Sequence, residues 1–421
     1  MIIQPLKGTR DFYPKDMATR VWLFDHMRHS AKLFGYQETE GPYIEPFELY
    51  AVKSGEELVN EQTFHLHDRG GRKIALRPEI TPTVSRMLAQ KSKELQKPIR
   101  WFSIGPAWRY EQPQKGRGRE FFQWEVNMFA ANTPLADAEV LCVAASFLQS
   151  IGLTPNNIKL KINDRQLVEK RLTSLGVSST HFGLVLKAID RKEKIPASTF
   201  REMLHAAGLS DQQQQKLESL LSDKDLPDDA VWLRSVFDAT KTLGFGNWIE
   251  YDPMIVRGLL YYTRTVFEAH DVKGEFRAIF GGGRFDNLVE ALGGKENIDG
   301  VGFAIGDMVL TLLLEQNKKI PILPASPTKI LVTVFDEKLV PKSIDLARQL
   351  REAGIPTELY PIATKLDKQL AYADKQGIPY AVILGPDEVK SDVVVVKDLL
   401  KRTQQKFLQR ELVHSMESIA V

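Results

Sequence analysis

The sequence predicts an α+β protein: a large sheet-bearing domain, a helical insertion within it, and a C-terminal α/β domain. Three observations lead there. Residues 102–128 hold two strand-like alternations on either side of a basic, glycine-containing loop. Between about residues 164 and 245, glycine is sparse, strand patterns vanish and charged helical segments take over. From Lys329 onward, strand and helix patterns alternate.

Successive strand side chains point to opposite faces. Phe122, Trp124, Val126 and Met128 therefore share one apolar face, and Arg119, Phe121, Gln123, Glu125 and Asn127 share the other. In the preceding strand Phe102, Ile104, Trp108 and Tyr110 lie on one side, with Arg109 and Glu111 opposite. A sheet face bearing arginines, amides, carboxylates and one aromatic ring is costly unless something polar covers it. It reads as the floor of a site for an anionic, ring-bearing ligand.

The remaining elements follow in order. An amphipathic helix is expected over 16–34, with Val21, Phe24, Met27, Ala31 and Phe34 spaced by three and four and Gly35 as its stop. An extended piece around Pro42 and a helical turn near Ser54-Gly-Glu-Glu57 come next. Residues 62–67 and 73–77 read as paired strands around Asp68-Arg-Gly-Gly71. Thr81-Pro82 opens a helix toward Leu95 with the threonine as N-cap, and Thr133-Pro134 opens another through Phe147 and Leu148. After the insertion, strands are expected at 255–262, 265–270 and 276–280. A turn at Gly281-Gly-Gly-Arg284, a helix through Leu288 and Leu292, a strand near Val301 and a helix over 307–315 complete the domain. Three prolines make 318–327 a linker. Beyond it, strands at 330–335 and 380–384 alternate with helices at 342–353 and 366–375, a βαβ arrangement with a mostly parallel sheet. The expected domains are thus 1–317, interrupted by the insertion at 164–245, and 328–421.

Composition narrows the function classes. The chain has 421 residues, 43% hydrophobic and 26% charged, and its formal charge is only +2. Any nucleic-acid role must then rest on local patches. The single cysteine, Cys142, excludes a disulfide framework and suits a cytoplasmic setting. The first residues carry no signal-peptide core, and no apolar run reaches membrane-spanning length, so no membrane role is expected.

Several constellations carry chemistry. In Arg77-Pro-Glu-Ile-Thr81, Glu79 and Thr81 suit an ammonium group, or alternatively a helix cap with a surface ion pair. Lys115, Arg117 and Arg119 flank Gly116 and Gly118, which fits a polyphosphate, a nucleic-acid backbone or a solvated turn. Arg109 lies among apolar neighbours and calls for an anionic partner. Arg257-Gly-Leu-Leu-Tyr-Tyr262 offers an arginine, a glycine (Gly258) that permits close backbone approach, and two tyrosines for a ligand or the core. Gly281-Gly-Gly-Arg284 could bring backbone amides to an anion, although it is not a Walker A loop. The histidines show no HExxH spacing, and no GxSxG elbow is present, so a protein-held metal site and nucleophilic hydrolysis are disfavoured.

Taken together and in this order, these segments resemble the histidyl-tRNA synthetases, which are class II aminoacyl-tRNA synthetases. The match runs from Lys7-Gly-Thr-Arg-Asp11 and the first class motif around Pro42, through Arg77-Pro-Glu79 and the second class motif at Arg109–Asn127. Arg257–Tyr262 and Gly281-Gly-Gly-Arg-Phe-Asp286 match the two histidine-specific signatures. Leu370–Pro379 and Val396-Lys-Asp398 look like the family's anticodon-binding domain. The resemblance implies a class II catalytic domain whose antiparallel sheet holds ATP and histidine, tRNA(His) as partner, and a homodimer. Mg2+ would come with the ATP phosphates. It implies histidine binding by Glu79, Thr81, Arg109, Gln123, Asn127, Arg257, Tyr261 and Tyr262. ATP would be held by Arg109, Glu111, Arg117, Phe121 and Arg284, with Arg109 and Arg257 as catalytic cations.

Two departures bear on that inheritance. Relatives usually carry a carboxylate where this chain has Asn127, so weaker histidine binding with less preference for a protonated ring is expected. The third class motif, Gly302-Phe-Ala-Ile-Gly306, continues as Asp307-Met-Val309, which lacks the arginine that clamps the γ-phosphate in many members; Arg284 or Arg117 is expected to compensate. Leu260, often acidic or small in relatives, is a milder change. Both departures lend weight to a rival reading, a non-catalytic paralogue acting as regulatory subunit of ATP phosphoribosyltransferase. Retention of a C-terminal domain, Arg109, Gln123 and Arg257 favours the ligase.

Overall fold

Apolar and polar residues alternate along Glu120–Phe129, and in the computed structural model of the chain this segment is a central strand. The structure describes residues 3–51, 61–257, 261–324 and 326–420; the expected turn at Ser54–Glu57, together with Gly258 and Leu260, lies outside them. The chain divides into two units, Met1–Asp11 with Trp22–Pro321 and Phe12–Val21 with Ile322–Val421.

The strands of the larger unit are β1 (Gln37–Glu38), β2 (Ile44–Pro46), β3 (His65–His67), β4 (Lys73–Leu76), β5 (Ile99–Trp108) and β6 (Glu120–Phe129). After these come β7 (Ile158–Asp164), β8 (Ile249–Tyr251), β9 (Thr265–Asp271), β10 (Phe280–Arg284) and β11 (Gly300–Gly306). Eight of them form one sheet in the order β1-β5-β6-β11-β10-β9-β7-β8, and β2-β4-β3 form a small second sheet. The six inner strands of the large sheet pair antiparallel, and only the edge strands β1 and β8 pair parallel.

Register decides what each face carries. Paired residues share a face, so Glu125, Ala304, Gly281, Glu268 and Lys161 form one cross-strand row. Asn127, Gly302 and Gly283 form the next. The opposite face carries Trp124, Val126, Phe303, Phe267 and Leu160, all buried in the main core together with Val140, Val143, Ala144 and Phe147 of helix Pro134–Ser150. Thr133 caps that helix by accepting from Ala136 N, a contribution of about 1 kcal/mol.

The insertion folds into helices Arg165–Ser174, Phe182–Arg191, Ala197–Ala206, Asp211–Ser222 and Val231–Thr242. Its apolar cluster around Leu172, Ile189, Phe200, Leu204 and Leu217 also takes in Val256. The glutamine run sits on Asp211–Ser222, where Gln213 forms a capping box with Ser210 and Gln214 is buried.

Several local expectations change. Helix Pro14–Leu33 buries Leu23, Met27, Ser30 and Ala31, while Val21 is exposed. The helix that begins at Thr81 has Ile80 as its cap residue, because Ile80 N already donates to Gln123 Oε1 at 3.1 Å; Thr81 stands in the first turn. Residues 255–257 form no strand, since Arg257 has left-handed backbone with φ 56°. Gly281–Gly283 lie inside β10 instead of forming a turn, with their backbone engaged in the ladder. Tyr110 lies past the end of β5 and is exposed, with the Arg119 guanidinium 4.2 Å from its ring centre.

The smaller unit holds β12 (Ile330–Val332), β13 (Thr357–Leu359), β14 (Tyr380–Ile383), β15 (Val393–Asp398) and β16 (Thr403–Leu408) in the order β13-β12-β14-β15-β16. The βαβ part is parallel as expected, but β15 and β16 add an antiparallel ribbon, so the sheet is mixed.

Candidate active site

The polar face of the large sheet floors a cavity of about 1080 Å3. Glu79, Thr81, Gln123, Asn127, Arg257, Tyr261 and Tyr262 line it, and so do Arg109, Glu111, Arg117 and Phe121. Residues separated by up to about 180 positions in the chain therefore meet in one hollow.

At one part of this hollow Arg109 sits over Phe121, its guanidinium 5.3 Å from the ring centre, and its Nε donates to Pro78 O at 2.9 Å. Among the described residues no carboxylate lies within 4.0 Å of Arg109, so its charge remains available to an anion. Arg117 Nε is 3.5 Å from Glu111.

Arg257 is the most constrained cation. Its left-handed backbone is unusual for a residue with a side chain. Val256 is held in the insertion's core and Tyr261 in a second cluster. Gly281 lets the Arg257 guanidinium lie against the sheet, because a Cβ there would clash with Arg257 Nη1. Arg257 Nη1 donates to Glu268 Oε1 at 2.6 Å, and Glu268 Oε2 meets His270 Nε2 at 3.0 Å. Burial alone would push the Glu268 carboxyl up, but Arg257 and His270 hold it at about 2. Burial likewise works against the Arg257 charge, and Glu268 more than offsets it. The Tyr261 and Tyr262 rings lie 4.8 Å apart, and burial raises both hydroxyl pKa values.

Asn127 is buried, and its Nδ2 donates to Glu125 Oε1 at 2.5 Å. Its carbonyl is directed at Gly302, where a Cβ would come within 2.0 Å of Oδ1. Glu125 is fully buried, and that burial pushes its pKa up to about 7 against the pull of Asn127 and Thr81.

Arg284 does not reach the cavity. It is completely buried; Nε and Nη2 donate to Asp137 Oδ1 at 2.9 and 2.6 Å, and Nη1 to Asp299 Oδ2 at 3.0 Å and Asp286 Oδ1 at 3.3 Å. Nη2 also serves Ala131 O at 2.9 Å. With its donors so committed it is a structural cation, and the expected role toward ATP is withdrawn. Sequence reasoning also passed over Glu268, His270 and Arg277, all of which line the cavity. Glu268 and His270 follow β9's alternation and could have been found from it; Arg277 falls in the stretch 276–280 expected as a strand, but the strand begins only at Phe280 and Arg277 stands in the loop before it.

Two family models match the chain: histidyl-tRNA synthetase over residues 8–308 and the anticodon binding domain over 320–418. The histidine–tRNA ligase of Leptospira biflexa is 37% identical over 95% of this chain and 94% of its own length. The chloroplastic/mitochondrial histidine–tRNA ligase of Arabidopsis thaliana is 36% identical over 94% of this chain and 83% of its own length. The chain belongs to the histidyl-tRNA synthetase family. The crystal structure of histidyl-tRNA synthetase from Nostoc sp. PCC 7120 shares the fold, with a TM-score of 0.85 at 24% identity over the full length of both chains. In this chain Arg109, Phe121, Gln123 and Asn127 meet Arg257, Tyr261 and Tyr262 over the sheet.

Proposed function

We propose that the protein is a histidine–tRNA ligase, which activates histidine with ATP and transfers the histidyl group to the 3′ end of tRNA(His). The observation that carries this is the convergence of Arg109, Phe121, Gln123 and Arg257 on one cavity in a chain of this family. In the proposed reaction a histidine carboxylate oxygen attacks the α-phosphorus of ATP. The bond from that phosphorus to the bridging oxygen breaks, and pyrophosphate leaves. No covalent enzyme intermediate is needed; the protein aligns the reactants and stabilises developing charge with fixed cations.

Glu79, Thr81 and Gln123 take the α-amino group. Arg109 and Arg257 take the α-phosphate, with Arg257 also near the histidine carboxylate. Phe121 stacks on the adenine with Glu111 at its edge, and Arg117 reaches the outer phosphates. Tyr262 and Asn127 Oδ1 bond the imidazole, with Tyr261 packed beside them. A site built to hydrogen-bond its substrate ring rejects analogues unable to do so, by roughly 10⁴-fold or more.

Mg2+ is assigned to the nucleotide. The nearby carboxylates Glu111 and Glu268 are engaged by Arg117 at 3.5 Å and Arg257 at 2.6 Å, so the residues present fit an ion borne by phosphate oxygens. It would supply charge neutralisation there. We further propose the domain limits 1–317 and 328–421, with the insertion at 164–245 and a linker at 318–327, a homodimer and a cytoplasmic location. No described helix is long and apolar enough to cross a membrane.

The test is charging of a tRNA(His) transcript with labelled histidine, with other tRNA transcripts as controls. Charging of tRNA(His) alone supports the ligase. Absence of charging with an intact fold would favour the regulatory paralogue.

A further inference from the structure

Val309 stands where the resemblance leads to an arginine for the γ-phosphate, and it is buried and apolar. It packs beneath the basic hairpin, where a Cβ built on Gly116 would lie 3.1 Å from Val309 Cγ2. From another direction Arg277 reaches the same glycine: its Nη2 donates to Gly116 O at 2.7 Å. Arg277 precedes β10 and lines the cavity. The place that lacks a cation on one element thus receives one from a different element.

The local charge balance gives this meaning. Among the described residues no carboxylate lies within 4.0 Å of the Arg277 guanidinium. Desolvation, then the charge of Arg117, pushes its pKa down; Glu111 works the other way, and Arg109 adds to the repulsion. Arg117 and Arg109 thus act on Arg277 as like charges and Glu111 as the opposing one, and Arg117 already engages Glu111 at 3.5 Å. Such an excess of positive charge on a cavity wall is unfavourable unless a polyanion neutralises it. Each guanidinium can offer directed donors to phosphate oxygens.

We propose that Arg277 is the outer-phosphate clamp of this enzyme, gripping the β- and γ-phosphates of ATP in place of the arginine absent at Val309. The hydrogen bond to Gly116 O ties the clamp to the hairpin that carries Arg117, so both cations approach the leaving pyrophosphate as a unit. Arg284 takes no part. The inference rests on the ligase reading above and deepens it.

The test is histidine-dependent ATP–pyrophosphate exchange by the full-length wild type, Arg277→Ala and Arg277→Lys, with AMP inhibition measured in parallel. The alanine variant should raise the KM for ATP by about tenfold or more, the loss expected for a charge-assisted bond. Its KM for histidine and its inhibition by AMP, which has no outer phosphates, should stay within about twofold. The lysine variant should fall between the two. A general disturbance of the site would move AMP as well and would overturn the clamp. An unchanged KM for ATP would also overturn it, leaving the ligase reading intact. Silence of the wild type would overturn that reading, and the clamp with it.

Discussion

Asn127 donates its side-chain N–H to Glu125 Oε1 at 2.5 Å, and both residues are buried on the polar face of the large sheet. When ionised, Glu125 can only accept here, which holds the amide with its nitrogen toward Glu125 and its oxygen toward Gly302. Sequence reading treated Asn127 as a carboxylate lost. The pair instead keeps a carboxylate two residues away, where it orients the amide.

This changes what a reversion would do. Asn127→Asp alone sets two carboxyl groups against each other, and one must stay protonated. Its KM for histidine should change, but the largest gain should come from Glu125→Gln combined with Asn127→Asp, which leaves one charged acceptor beside the ring. The double variant should lower the KM for histidine by several-fold, about 1 kcal/mol of extra charge assistance. A KM for histidine equal to wild type in both variants would count against Asn127 as the ring acceptor.

Glu125 also sets a pH dependence. Its pKa is raised from 4.5 to about 7, mainly by burial, with Glu79 raising it further and Asn127, Thr81 and Arg77 lowering it. A carboxyl group raised in the folded state favours folding fully below 4.5, and that contribution is lost as pH rises through about 7. Glu125→Gln cannot ionise. The Tm of the variant relative to wild type should therefore climb between pH 5 and pH 8, and parallel Tm curves would refute the assignment.

Glu268 titrates in the opposite sense. Held at about 2 against its ordinary 4.5, it contributes stability above 4.5 that is lost as pH falls toward 2. Glu268→Gln should cost about 1–3 kcal/mol in urea unfolding at pH 7, since Arg257 loses its charged partner. The gap should close on acidification toward pH 2 to 3. A fall in kcat is expected too, because Arg257 is no longer anchored over the sheet.

Arg284→Ala should act on the fold and spare the nucleotide. Removing one member of a buried ion network strands the carboxylates of Asp137, Asp286 and Asp299, at a cost of about 3–5 kcal/mol. Thermal unfolding should report a large drop in Tm, while folded protein keeps its KM for ATP. A selective rise in that KM without loss of stability would restore the role first expected for Arg284.

The contrast between Gly281–Arg284 and Glu120–Phe129 explains what was legible in the sequence. A period-two pattern is local, so the apolar and polar faces of β6 could be read directly. Glycine runs usually mark turns, but these glycines pair with β9 and β11 in the ladder, and Gly281 is required there because Arg257 lies against it. That reason sits 24 positions away. Arg284 was misjudged for the same kind of cause, since Asp137 is 147 positions distant. Residues 255–256 look like strand from their apolar side chains, but Arg257 takes left-handed backbone and ends that pattern. Arg277 lies in a stretch that reads as a strand but is loop, and its bond to Gly116 O singles it out.

Amino-acid-dependent ATP–pyrophosphate exchange, run with each of the twenty amino acids in turn, tests the central claim most directly. The polar sheet face with Arg109, Phe121, Gln123 and Arg257 should support exchange with histidine and with no other amino acid. Exchange driven by a different amino acid, or none at all from well-folded protein, would contradict it.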